Sequence, residues 1–132
     1  MDKILELKDI KLVYQSKANE TLALKDLSFD VNKKEFVSIV GPSGCGKTTI
    51  LSLIAGLFPP SEGEILLDGK KVEKISSSVG YMFQRDNLFD WLSITNNIFL
   101  GLKIQKKLDT NSKDYAIQLA KKYYLEDFLS HY

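Results

Sequence analysis

The eight residues Gly41-Pro42-Ser43-Gly44-Cys45-Gly46-Lys47-Thr48 constrain this chain more than any other feature of its sequence. They fill every fixed position of the pattern G-x-x-x-x-G-K-[ST]. Before them, Phe36-Val37-Ser38-Ile39-Val40 is almost continuously apolar and largely β-branched, which predicts a strand buried on both faces. After them, TTILSLIAGL changes to helical spacing, and Gly56 followed by Pro59-Pro60 ends that helix. Strand, loop and helix in that order are the setting the pattern requires. A chance match in a chain of this length arises in roughly one sequence in several hundred.

The chemistry accounts for the spacing. A phosphate chain is bound by several converging backbone N–H groups, and glycines let the backbone curl closely around it. The helix that follows aims its N-terminus at the anion. The phosphate-binding set is Gly41, Pro42, Ser43, Gly44, Cys45, Gly46, Lys47, Thr48 and Thr49. Lys47 supplies a point charge to the β and γ phosphates. The Thr48 hydroxyl is placed to bind a Mg²⁺ ion that the phosphates also hold. Cys45 reads as a small loop residue rather than a redox centre, because the chain has one cysteine and so no partner for it.

Length and charge narrow the rest. With 132 residues the chain is the size of one small domain. Its 18 Lys and Arg against 17 Asp and Glu leave no basic excess of the kind a nucleic-acid binder carries. The N-terminus MDKILELKDI lacks the apolar core of a signal peptide. No apolar run approaches the roughly 18–20 residues that span a bilayer. A soluble, cytoplasmic chain that meets a membrane only through a partner is expected.

Residues 3–14 alternate as a strand with a polar break at Lys8-Asp9, and 24–31 alternate as a second. Residues 15–21 are polar and turn-like, and Asn32–Glu35 is a turn. GEILL at 63–67, the turn Asp68-Gly69 and Lys71-Val72 predict a hairpin. Val79–Phe83 predicts another short buried strand, ending at Gln84. From Ile94 the spacing is helical, with a stripe of Ile94, Ile98 and Leu102. After a polar break at Asp109–Ser112, a second helix carries Tyr115, Leu119, Lys122 and Tyr123, with Ala116 and Ala120 beside them. Two subdomains are expected, 1–85 with the nucleotide-binding loop and 86–132 with partial helical character.

The stretch GPSGCGKTTILSLIAGLFPPSEGEILLDGKKV resembles the front of ABC-transporter ATPase subunits. VGYMFQRDNLFDWLSITNNIFLGL resembles the same family's Q-loop and the start of its helical subdomain. The likeness runs from Leu5 to His131. It implies an α/β fold: a partial P-loop NTPase core, an antiparallel β-subdomain and the start of an α-helical subdomain. It implies ATP and Mg²⁺ as cofactors, with Lys47 and Gln84 in catalytic roles and Thr48 and Gln84 at the metal. Tyr14 matches the aromatic residue that stacks on adenine, its alternative being an ordinary strand aromatic. Gln84 matches the Q-loop glutamine, its alternative being a polar residue at a strand end. Arg85 to Trp91 falls where the family receives a transmembrane permease subunit. Trp91 also fits as a core anchor of the helical subdomain. A second ATPase subunit is implied as homodimer partner, and a solute-binding protein indirectly. The DNLFDWLSITNNIFLGL segment is most like the importer branch for nitrate, sulfonate and taurine, although that branch carries Pro where Asp90 stands.

In the family an LSGGQ-type signature, a second carboxylate motif and a switch histidine follow. None is found up to Tyr132, and the single histidine, His131, lies elsewhere. The resemblance thus predicts a nucleotide cradle without the groups that activate water. Two readings stand. One is the front portion of an ATPase subunit that couples ATP hydrolysis to solute movement. The other is a non-catalytic module that binds nucleotide or pairs with an intact subunit.

Overall fold

The computed structural model of the chain describes residues 2–15, 19–85 and 87–132. Residues 16–18, in the expected polar turn, and Asp86, in the expected permease-facing segment, lie outside the described residues. The chain divides into two compact units, 1–81 and 82–132.

The first unit is built on strands β1 (Lys3–Gln15), β2 (Glu20–Asn32), β3 (Glu62–Leu67) and β4 (Lys70–Lys71) and on helix α1 (Lys47–Ile54). The strands form one sheet in the order β2-β1-β3-β4, with every neighbouring pair antiparallel. β1 buries Leu5 and Leu7 and then Ile10 and Leu12, a change of parity within one strand. Regular alternation would put the second pair on the opposite face. The change happens at the polar break, where Asp9 adopts a left-handed φ of 51° and the pairing register with β2 shifts between Leu7 and Ile10. Ser28 of β2 pins this bulge. Its Oγ accepts from the Asp9 N–H at 2.8 Å and donates to Asp9 Oδ1 at 3.1 Å. β2 repeats the device at Asp26, φ 49°, where the register shifts between Ile10↔Leu27 and Leu12↔Leu24.

The single apolar face that results is covered by α1. Ile50 and Leu53 join Leu5, Leu7, Ile10, Leu12, Leu24 and Ile65 in one buried cluster. α1 ends as Gly56 predicts. Gly56 takes φ 73°, its N–H donates to the Leu53 carbonyl at 3.0 Å, and the Leu57 N–H donates to the Ser52 carbonyl at 3.1 Å. These are the two bonds of a Schellman stop. The β3–β4 turn has positive φ at both Asp68 and Gly69, the two-residue geometry that matches strand twist.

The second unit holds α2 (Ile94–Ile104), α3 (Thr110–Lys122) and a 3₁₀ turn at Glu126–Phe128. Asp109 begins α3 in a reciprocal capping box with Ser112. That hydrogen bonding holds the Asp109 carboxyl below its ordinary pKa. The second helix is found, with Tyr123 as its C-cap; Tyr115 and Tyr123 are exposed and Ala120 is buried. Among the described residues no helix is long and apolar enough to cross a membrane.

Two strand expectations are overturned. Residues 36–40 and 79–83 belong to no strand; Phe36, Val40 and Met82 are each more than nine-tenths exposed, while Ile39 packs against the core cluster. A strand buried on both faces needs a hydrogen-bonded neighbour on each side. Among the described residues neither segment is a member of the sheet. Exposed apolar backbone of this kind recruits other strands. The 132-residue chain is therefore expected to self-associate, and Phe36→Lys to shift it toward monomer, as read by sedimentation velocity. A parent chain that is monomeric at every concentration would contradict this.

Candidate functional site

The loop Gly41–Gly46 and the start of α1 form the site that the sequence singles out. Two backbone conformations shape it. Gly44 has φ 80° and Gly46 φ 93°, both in the left-handed region that only glycine enters freely. Gly46 is also fixed by its neighbours. A Cβ there would stand 2.9 Å from Leu24 Cδ2 and 3.4 Å from the Ala23 carbonyl oxygen. The loop thus rests directly on β2, and α1 leaves it at Lys47.

The helix start is left open to an anion. α2 is capped by the Ser93 side chain and α3 by Asp109, whereas no side chain caps α1 and no acidic residue occupies its first turn. First-turn N–H groups lack partners within their own helix. They give this end the partial positive charge that attracts phosphate. Lys47 folds back over the loop. Its Nζ donates to the Gly41 carbonyl at 2.7 Å and the Pro42 carbonyl at 2.6 Å, and lies 3.5 Å from Cys45 Sγ. All three ammonium donors thus address the loop's own atoms. Gly41 is needed at this approach, since a Cβ on it would lie 2.7 Å from Cys45 Sγ. Thr48 is exposed and Thr49 half-buried on the first turn. Among the described residues no three His, Cys, Asp or Glu side chains cluster as a metal site.

The other expected residues fall around this loop or in the second unit. Tyr14 follows Leu12 by two positions on β1, so both point to the same face. Its ring is 47% exposed and tilted against Phe58, with centroids 6.5 Å apart. Gln84 is exposed and belongs to the second unit, whereas Gly41–Thr49 belong to the first. Phe89 and Trp91 pair with centroids 4.8 Å apart, and Trp91 is 71% exposed. Among the described residues, Trp91 is thus no core residue of the second unit.

Sequence reasoning missed three contributors. Leu24 seats the loop, and nothing in alternation alone distinguishes it from any other strand leucine. Ser52, buried on α1, shares a 3.1 Å hydrogen bond with the Tyr81 hydroxyl. Asn97 binds the turn that carries Trp91. Nothing in the polar helix start Ser93-Ile94-Thr95-Asn96-Asn97 singled it out.

A glycine-shaped loop that offers N–H groups and a lysine to phosphate, mounted between a sheet and a helix, defines a nucleotide-binding protein. The family model for ABC transporters matches residues 24–131, and the chain belongs to that family. It is 45% identical over 123 residues to the ABC transporter ATP-binding protein YtlC of Bacillus subtilis, covering 93% of this chain and 47% of that one. It is 43% identical over 95 residues to the aliphatic sulfonates import ATP-binding protein SsuB of Bacillus cereus, covering 71% of this chain and 38% of the relative. To the taurine import ATP-binding protein TauB of Pelagibacter ubique it is 37% identical over 100 residues, 75% of this chain and 38% of TauB. The chain therefore spans less than half the length of these relatives. Among solved structures, the post-hydrolysis dimer of the ATP-binding cassette MJ0796 bound to ADP and Pi superposes with a TM-score of 0.83 at 30% identity. That match covers 96% of this chain and 60% of the cassette.

Gly46→Ala is expected to place a side chain in a left-handed conformation and against Leu24. It should destabilise the first unit by about 1–2 kcal/mol. Urea unfolding followed by far-UV circular dichroism measures this. A loss below the resolution of the method would mean that the loop relaxes away from β2.

Proposed function

We propose that this chain is the nucleotide-binding part of an importer ATPase of the sulfonate and taurine type. In this reading it binds ATP with Mg²⁺ and works with a membrane permease and a second ATPase subunit, on the cytoplasmic face of the membrane. The observation that carries the proposal is the loop itself. Left-handed Gly44 and Gly46, the uncapped start of α1 and the inturned Lys47 together suit a triphosphate and no uncharged ligand. The printed names of SsuB and TauB support the solute class, and the dimeric cassette supports the second subunit.

The roles divide as follows. Backbone N–H groups of Gly44 to Thr49 hold the β-phosphate region. Lys47 exchanges its carbonyl partners for β and γ oxygens, which neutralises charge where it develops. Thr48 would help to hold Mg²⁺, which would supply charge to neutralise the phosphates, in keeping with that ion's preference for few protein ligands. Tyr14, about half exposed, is assigned the adenine-stacking role. Gln84 is assigned the role of the family's Q-loop glutamine toward Mg²⁺ and the attacking water. Residues 1–85 serve as the nucleotide-binding core and 86–132 as the start of the helical subdomain. Arg85 to Trp91 faces the permease, and a solute-binding protein acts further upstream.

Lys47→Ala is expected to abolish MgATP binding with unchanged circular dichroism, because Lys47 contributes charge to the loop and nothing to the core. Calorimetric affinity equal to that of the parent would sink the loop assignment. Tyr14→Ala should weaken ATP several-fold and Tyr14→Trp should preserve it, since base–aromatic stacking is worth roughly 1–3 kcal/mol. Inorganic triphosphate is the control: an equal loss there would make Tyr14 structural. The 132 residues alone are expected to show no turnover above background. No second carboxylate motif occurs in them, and each lost transition-state contact costs about 3–4 kcal/mol. Sustained phosphate release that Lys47→Ala removes would refute this and disfavour the rival, non-catalytic module.

A further inference from the structure

Helix α1 carries the phosphate loop on an open start. A side-chain cap would occupy the N–H groups that an anion needs, and α1 has none. Its orientation is therefore set from its sides. One side is apolar, with Ile50 and Leu53 in the buried cluster. Another carries Thr48, Ser52 and Ala55, which helical spacing places on one face. Ser52 and Ala55 are 8% and 3% exposed, yet neither belongs to the apolar cluster. Ser52 is the one buried polar side chain among the described residues. Its Oγ shares a 3.1 Å hydrogen bond with the Tyr81 hydroxyl.

The segment that brings Tyr81 to Ser52 also meets the end of α1. A Cβ on Gly56 would lie 2.6 Å from the Lys74 carbonyl oxygen and 3.0 Å from the Ile75 nitrogen. Residues 74–81 thus bear on α1 at Gly56 through backbone and at Ser52 through one pair of hydroxyls. The two contacts act differently. Close backbone packing at Gly56 limits how near the segment comes. The hydrogen bond resists rotation of the helix about its axis, because such bonds weaken steeply with angle. Ser52 stands one turn from Thr48, so a rotation released at Ser52 is passed to Lys47, Thr48 and the first-turn N–H groups.

We infer that Tyr81 is a positioning residue for the phosphate loop, acting through Ser52 to fix the rotation of α1 and so the aim of Lys47, Thr48 and the open N–H groups. The inference rests on the nucleotide-binding reading of the loop given above.

Calorimetry on the 132-residue chain with two probes, MgATP and inorganic tripolyphosphate, tests it. Tyr81→Phe and Ser52→Ala each remove one partner of the bond and keep the surrounding bulk. Each should weaken both probes by the same factor, about three- to tenfold, the range that one neutral hydrogen bond supports. The double variant should lose no more than either single variant, because the two hydroxyls act as one pair. A bond with a structural role alone would lower the melting temperature and leave the affinity of the folded chain unchanged. Parent affinity in the single variants, at a temperature where circular dichroism shows them folded, therefore overturns the inference. Losses that add in the double variant also overturn it. Should one single variant fail to fold, the other decides. Lys47→Ala separates the two readings. If the parent binds neither probe, or Lys47→Ala binds as the parent does, the loop reading fails and the inference with it. If Lys47→Ala loses both probes while the hydroxyl variants bind like the parent, the loop reading stands and Tyr81 has no positioning role.

Discussion

The left-handed turn of backbone at Asp9 is the constraint on which the first unit depends. β1 is thirteen residues long, and without an extra residue its apolar side chains would fall on opposite faces before and after Lys8. With it, Leu5, Leu7, Ile10 and Leu12 share the face that α1 covers. β2 would fall out of step with a bulged neighbour, and its own bulge at Asp26 restores the match. That second shift moves Leu24 onto the covered face, although Leu27, Phe29 and Val31 have the opposite parity. Leu24 then lies beneath Gly46. The phosphate loop is thus held in place by two aspartates that never touch it. Aspartate suits both positions, being among the few non-glycine residues that tolerate positive φ.

Much of this was legible in the sequence because it is written in local chemistry. The Lys8-Asp9 interruption, the Asp68-Gly69 turn, the glycine stop at Gly56 and the G-x-x-x-x-G-K-[ST] loop each depend on residues a few positions apart. What periodicity cannot state is which neighbour a segment will have. Phe36–Val40 has the composition of a central strand, yet composition supplies no hydrogen-bonding partner, and the segment stays outside the sheet. Helical spacing identifies a face, but whether large rings or small alanines lie inward depends on what packs there, and Ala120 is the residue that α3 buries.

The two units are held by different forces. The first has an apolar cluster whose members are nearly inaccessible, with Leu7 at 1% and Ile10 at 0%. In the second, Ala120 alone among the described residues is buried. Its order comes instead from polar fasteners: the Asp109–Ser112 box, the Ser93 cap, Thr95 on Leu129 and Asn97 on the Phe89 turn. Such bonds contribute about 0.5–1.5 kcal/mol each, less than a buried leucine or isoleucine.

That difference suits what each unit is proposed to do. A phosphate cradle works only if its N–H groups are already aimed, and dense packing beneath Gly46 keeps them so. In the second unit hydrogen bonds set direction instead, because they fix orientation steeply. Asn97 holds the Phe89 turn in this way, with no buried apolar cluster beneath it among the described residues.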